Sequence, residues 1–106
     1  MADLNRAWSE TTAGTDSGAT ATHAAASGIT HIVTSISGHT DTDSTLRVLD
    51  GTTVVWEGKI DISVEGTQIK SPPGLMIVCT PGNKADFVIS SSTSDSQANA
   101  NGFSIP

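Results

Sequence analysis

Beyond residue 28, apolar positions alternate with polar ones over most of the chain, and β-branched residues dominate those stretches. Alternation with a period of two marks strands that bury one face. Residues 29–37 (ITHIVTSIS) predict a first strand and residues 45–49 (TLRVL) a second. Between them residues 38–44 (GHTDTDS) read as a polar turn. Asp50-Gly51 follows as a two-residue hairpin turn, because both central positions of a type I′ turn need positive φ. Residues 52–57 (TTVVWE) return as a third strand, in a register that sets Leu46 against Val55 and Val48 against Thr53. Arg47, Val54 and Trp56 then share the other side, so both faces of the hairpin carry apolar groups. That pattern predicts a sandwich whose outer face meets another subunit.

Gly58 and Gly66 bracket a fourth strand, in which Ile60, Ile62 and Val64 alternate with charged and polar residues. Ser71-Pro72-Pro73-Gly74 breaks the ladder, since proline has no N–H to donate. Residues 75–80 (LMIVCT) form a continuous apolar run, the pattern of a strand buried on both faces. After a turn at Pro81-Gly82-Asn83, residues 85–90 (ADFVIS) predict a strand with Phe87 and Ile89 on one face. Residues 91–101 are polar and read as a long surface loop, and residues 102–106 (GFSIP) as a short closing strand. Short strands separated by turn residues predict an all-β sandwich or barrel over residues 29–106.

Residues 1–28 differ. After Leu4 and Trp8 they hold almost nothing large, and TTAGTDSGATATHAAAS (residues 11–27) has too little apolar surface to offset its own ordering entropy. This stretch is expected to be an extended or flexible N-terminal arm, either a disordered tail or a segment that orders against a partner through Leu4 and Trp8.

Composition narrows the function. The chain has 106 residues, enough for one domain. Two Phe and two Trp leave the core to seven Val, nine Ile and four Leu, and oligomerisation is a common remedy for so thin a core. Five basic residues against eleven acidic ones give a net charge of -6, spread over both parts of the chain. A nucleic-acid binder needs a basic stripe and stacking aromatics, so none is expected here. No apolar run approaches the roughly 18–20 residues that cross a bilayer, and residues 1–10 lack the apolar stretch of a secretory leader.

Catalytic signatures are missing: no GxSxG, no GxxxxGK[ST], no HExxH and no CxxC. Cys79 has no basic neighbour to lower its pKa and is expected to be buried and inert. His23, His31 and His39 stand eight residues apart, but the glycines at 28 and 38 interrupt one continuous strand, so surface histidines are expected rather than a zinc site. The GHTDTDS turn places alternate oxygens as calcium ligands are placed, yet lacks the glycine and distal glutamate of an EF-hand. A solvated turn in which Asp and Ser side chains bond the local backbone is expected instead. No catalytic residue, metal or cofactor is expected.

From Gly28 onward the order of segments resembles the head decoration (cement) proteins of tailed bacteriophages. The residues that carry the likeness are GITHIVTSI (28–36), LRVLDGTTVVWEGKI (46–60), the SPPG break (71–74), GLMIVCTPGNKADFVIS (74–90) and the closing GFSI (102–105). Where the family pattern often ends in Gly-Tyr, this chain has Gly102-Phe103. The resemblance implies a small jelly-roll-like β-sandwich and a homotrimer. It implies a structural role on the outer capsid surface of the virion, where the protein binds the major capsid protein and stabilises the assembled shell. The contact residues expected in that role are Leu4, Arg6 and Trp8 in the arm, and Trp56, which is equally suited to the core. A different reading is a carbohydrate- or receptor-binding module of a phage fibre or baseplate. It would use the loops at residues 38–44 and 90–101, with or without calcium.

Overall fold

The computed structural model describes residues 6–14, 18–61, 63, 68–90 and 96–106. Over these residues the chain forms nine strands and no helix. In chain order they are β1 (Arg6–Gly14), β2 (Ala19–His23), β3 (Thr30–Thr40), β4 (Ser44–Asp50), β5 (Thr53–Ile60), β6 (Gln68–Lys70), β7 (Ile77–Val78), β8 (Ala85–Ile89) and β9 (Ser96–Ile105). Two antiparallel sheets pack face to face as a sandwich. The first has the order β1-β9-β3-β6, with β7 also pairing β3, and the second the order β2-β8-β4-β5.

The stretch expected as a free arm is built into both sheets over its described residues. Strand β1 pairs β9 from Arg6↔Ser104 to Gly14↔Ser96, and β2 pairs β8 from Ala19↔Ile89 to His23↔Ala85. Apart from Trp8 and His23, the inward side chains that seat it against the core are small. Ala19 and Ala21 lie buried against a core that the rest of the chain supplies. Leu4 lies outside the described residues.

From residue 96 onward strand β9 replaces the expected loop and short closing strand, and it occupies the middle of its sheet; residues 91–95 lie outside the described residues. Its sequence SQANANGFSI alternates small with larger residues. Ser96, Ala98, Ala100, Gly102 and Ser104 face the core, while Gln97, Asn99, Asn101, Phe103 and Ile105 face outward. Small inward groups leave room for the large ones opposite: Phe87, Ile89, Leu46 and Val48 from the second sheet.

Two bulges set which side chains are shown. In β3 the pairing shifts between Val33 and Ser35, so Val33 and Ile36 both face the core while Thr34 and Ser35 both face outward. In the hairpin the loop is Gly51-Thr52, closed by Asp50↔Thr53, and Val48 pairs Trp56 rather than Thr53. Val55 is the extra residue. The expected register is therefore shifted, and Trp56 turns to the core side while Val54 and Val55 stay exposed. Strand β5 also runs on through Gly58 to Ile60 in place of a new strand there; Ile62 and Val64 lie outside the described residues. The apolar run at residues 75–80 contains only the two-residue β7. Leu75, Ile77 and Cys79 turn inward, but Met76 and Val78 are 65% and 61% exposed.

Candidate functional site

Four aromatic rings meet where β1 and β2 close the edge of the sandwich. The Trp8 indole stacks on the His23 imidazole, with centroids 4.3 Å apart and planes 14° apart. Phe87 lies 5.9 Å from Trp8, and His31 stands edge-on to His23 at 4.4 Å. His23 Nδ1 lies 2.7 Å from Glu10 Oε2, a bond that ties the edge of one sheet to the edge of the other. His31 is 2% exposed. Its Nε2–H donates to the Ala24 carbonyl at 2.8 Å, which leaves Nδ1 to accept from the Ser104 hydroxyl at 2.6 Å. The Ser104–His31 pair has the partners of a nucleophile and base, but both groups are buried. It is a polar clasp between β9, β3 and the chain after β2.

The sequence-based contact residues thus fall in different places. Trp8 packs against its own core, and its Nε1 is buried without a hydrogen-bond partner. Arg6 opens β1 opposite Ser104. Trp56 is half-buried against the core from β5, the outermost strand of its sheet. Beside it, Val54 and Val55 are 47% and 43% exposed. The residues missed from sequence are this pair and Met76 with Val78; the signal was present as apolar residues on both faces of the hairpin and of the run at 75–80.

The outer face of the first sheet has a regular chemistry. One row across β1, β9, β3 and β7 reads Ala7, Phe103, Ile32 and Val78. The neighbouring rows read Ser9, Asn101 and Ser35, then Thr11, Asn99 and Ser37, then Ala13, Gln97 and His39. Amides and hydroxyls on these rows bond one another: Asn101 Nδ2 donates to Ser35 Oγ at 3.0 Å, Gln97 Nε2 to Thr11 Oγ1 at 3.3 Å, and the Thr11 hydroxyl to Asn99 Oδ1.

Two acidic sites are accounted for locally. Asp50 holds the hairpin against the turn at residues 80–83. It accepts Thr80 N–H at 2.9 Å, the Thr80 hydroxyl at 2.8 Å and Asn83 Nδ2 at 2.9 Å. Burial pushes its carboxyl up, but the bonds from Asn83 and Thr80 outweigh that and hold it below the usual carboxylate value. An open cleft of about 380 Å³ is lined by Asp43, Thr45, Lys59, Asp61 and Ser90, among others. Asp61 is held low by the hydroxyl and N–H of Ser63. Of the expected GHTDTDS turn, Gly38 to Thr40 belong to β3 and only Asp41 to Asp43 bend. His23 and His31 meet, yet among the described residues no three His, Cys, Asp or Glu side chains gather to hold a metal. Cys79 is 1% exposed; burial, then the nearby Asp50 charge, push its thiol up to about 11. Comparison of the chain with family models, curated proteins and solved structures finds no match.

Proposed function

We propose that this chain is a structural, non-enzymatic virion protein: a jelly-roll brick that docks on the outside of an assembled tailed-phage capsid, as a homotrimer, and stabilises the shell. The exposed Val54–Val55 pair beside Trp56 on the outermost strand β5 carries this reading, because exposed neighbouring apolar groups on a small acidic domain mark a docking element. The jelly-roll winding is supported by the nested pairing: β1 with β9, β2 with β8, β3 with β6 and β7, and β4 with β5. A non-catalytic role is supported by the deep burial of Cys79 and of the Ser104–His31 pair. The acidic balance suits the outside of a shell, since the inside faces packaged DNA. The capsid contact is assigned to β5 at Trp56 with Val54 and Val55. Three linked protomers would then multiply weak single contacts.

The test is cosedimentation of the purified chain with expanded phage shells that lack their decoration protein. Saturable binding, a raised temperature of shell rupture and loss of both in Val55→Glu support the reading. Absence of binding to shells, together with glycan binding that a chelator abolishes, would replace it with the carbohydrate-binding alternative.

A further inference from the structure

We infer that the outer face of the first sheet, over β1, β9, β3 and β7, is where a second copy of this chain docks. This rests on the self-association in the reading above but not on the capsid.

Charge distribution identifies the occupant. A chain of net charge -6 repels its own copies, so a face without carboxylates is where they meet at least electrostatic cost. The described carboxylates all lie elsewhere. Glu10 turns toward His23, Asp41 and Asp43 sit in the bend after β3, Asp50 and Asp61 lie at the two ends of the hairpin, and Glu57 and Asp86 belong to the second sheet. The outward positions of β1, β9 and β3 hold only apolar, amide, hydroxyl and imidazole groups. Lys70, opposite Ser37 on β6, adds a cation at the margin of this face.

The same face carries Met76 and Val78, the two most exposed large apolar side chains among the described residues. Val78 ends the row Ala7–Phe103–Ile32, in which Ile32 is itself buried, so Val78, the half-buried Phe103 and Ala7 lie beside rows of amides and hydroxyls. An apolar centre with a hydrogen-bonding margin is the composition of a protein–protein interface. The β5 pair Val54–Val55 lies instead on the hairpin with Glu57 and Lys59, and it is left to the shell.

Sedimentation equilibrium of the full chain tests the inference, with Val78→Glu and Val55→Glu as variants. Both positions are exposed, and circular dichroism checks that each variant keeps its strands. The wild type is expected to self-associate. Val78→Glu, which sets an acid on the face of every copy, is expected to weaken association roughly a hundredfold or more, while Val55→Glu leaves it unchanged. The unaltered chain gives a second readout: Met76 should be oxidised by peroxide several-fold more slowly when concentrated than when dilute. A wild type that stays monomeric overturns the inference, as does association that Val78→Glu leaves intact or that Val55→Glu abolishes. A monomer that still binds shells in a manner sensitive to Val55→Glu would overturn it while leaving the capsid reading standing.

Discussion

The indole of Trp8 lies across Gly102 on the neighbouring strand, so close that a β-carbon on Gly102 would stand 2.6 Å from Cζ2 and would also overlap the Ile32 carbonyl oxygen. Glycine at this central position of β9 is what lets the edge strand β1 seat a large ring between the sheets. The ring in turn stacks on His23 and reaches Phe87. A pair of small and large residues thus joins the chain's beginning to its last strand.

Substituting Gly102 should therefore be among the most damaging changes in the protein. Gly102→Val is expected to lose about 3 kcal/mol or more, the upper range for overpacking, because backbone as well as a side chain must shift. Urea titration followed by tryptophan emission measures this. Trp8→Phe should be far milder, within about 1 kcal/mol of the wild type, since it loses ring area but removes an N–H that is buried without a partner. A Gly102→Val protein as stable as the wild type would mean that β1 does not occupy this slot.

Asp50 gives a prediction in acid. Its carboxyl ionises below its ordinary value in the folded chain, so the folded state holds fewer protons than the unfolded one in that range. Its contribution is complete above the unfolded value of 3.8 and is lost as pH falls through the lower folded value. Asp50→Ala should cost about 1–2 kcal/mol at neutral pH, for three bonds at a partly exposed carboxylate. The variant should also lose less stability than the wild type on acidification below 3.8. Thermal melts of both proteins over that range test the sign.

Cys79 behaves in the opposite sense. Its thiol is held up to about 11 against an ordinary 9.0, so the folded state keeps a proton that the unfolded chain gives up. Stability should fall as pH rises between those values, and Cys79→Ala should flatten that alkaline slope. A thiol reagent at pH 8 should leave the folded protein unmodified and label it fully in denaturant. Rapid labelling of the folded chain would contradict the burial.

The alternating pattern made much of this architecture legible. Residues 29–37, 45–49 and 85–90 read as strands from their apolar periodicity, and each lies within or largely over β3, β4 or β8. Phe87 and Ile89 share a buried face as their spacing implies. What stayed hidden has a common physical origin. The inward residues of β2 and β9 are Ala, Gly and Ser, which a search for large apolar groups passes over, and their burial is created by Phe87, Leu46 and Ile36 from distant parts of the chain. The hairpin register failed for another reason. A bulge inserts Val55 without any glycine or proline to announce it, and a single extra residue moves Trp56 from one face to the other. Exposure of Met76 and Val78 was equally hidden, because it depends on which face of β3 is covered and not on the local sequence.

The clearest check of strand β9 uses its two faces. Ala98 and Ala100 point inward with no exposed surface to speak of, while Asn99 between them points outward and bonds Thr11 and Ser37. Extra methyl groups at the inner positions must displace the packed Leu46, Val48 and Phe87 layer opposite. Ala98→Val and Ala100→Val should therefore each cost about 1–3 kcal/mol. Asn99→Val adds a β-branched side chain to an uncovered face and loses only exposed or part-buried bonds, so its effect should stay within about 1 kcal/mol. Denaturant titration of the three variants resolves the difference. If residues 96–101 were instead a solvated loop, all three substitutions would be equally mild, so a large penalty at 98 and 100 with none at 99 is the signature of a central strand with one buried face.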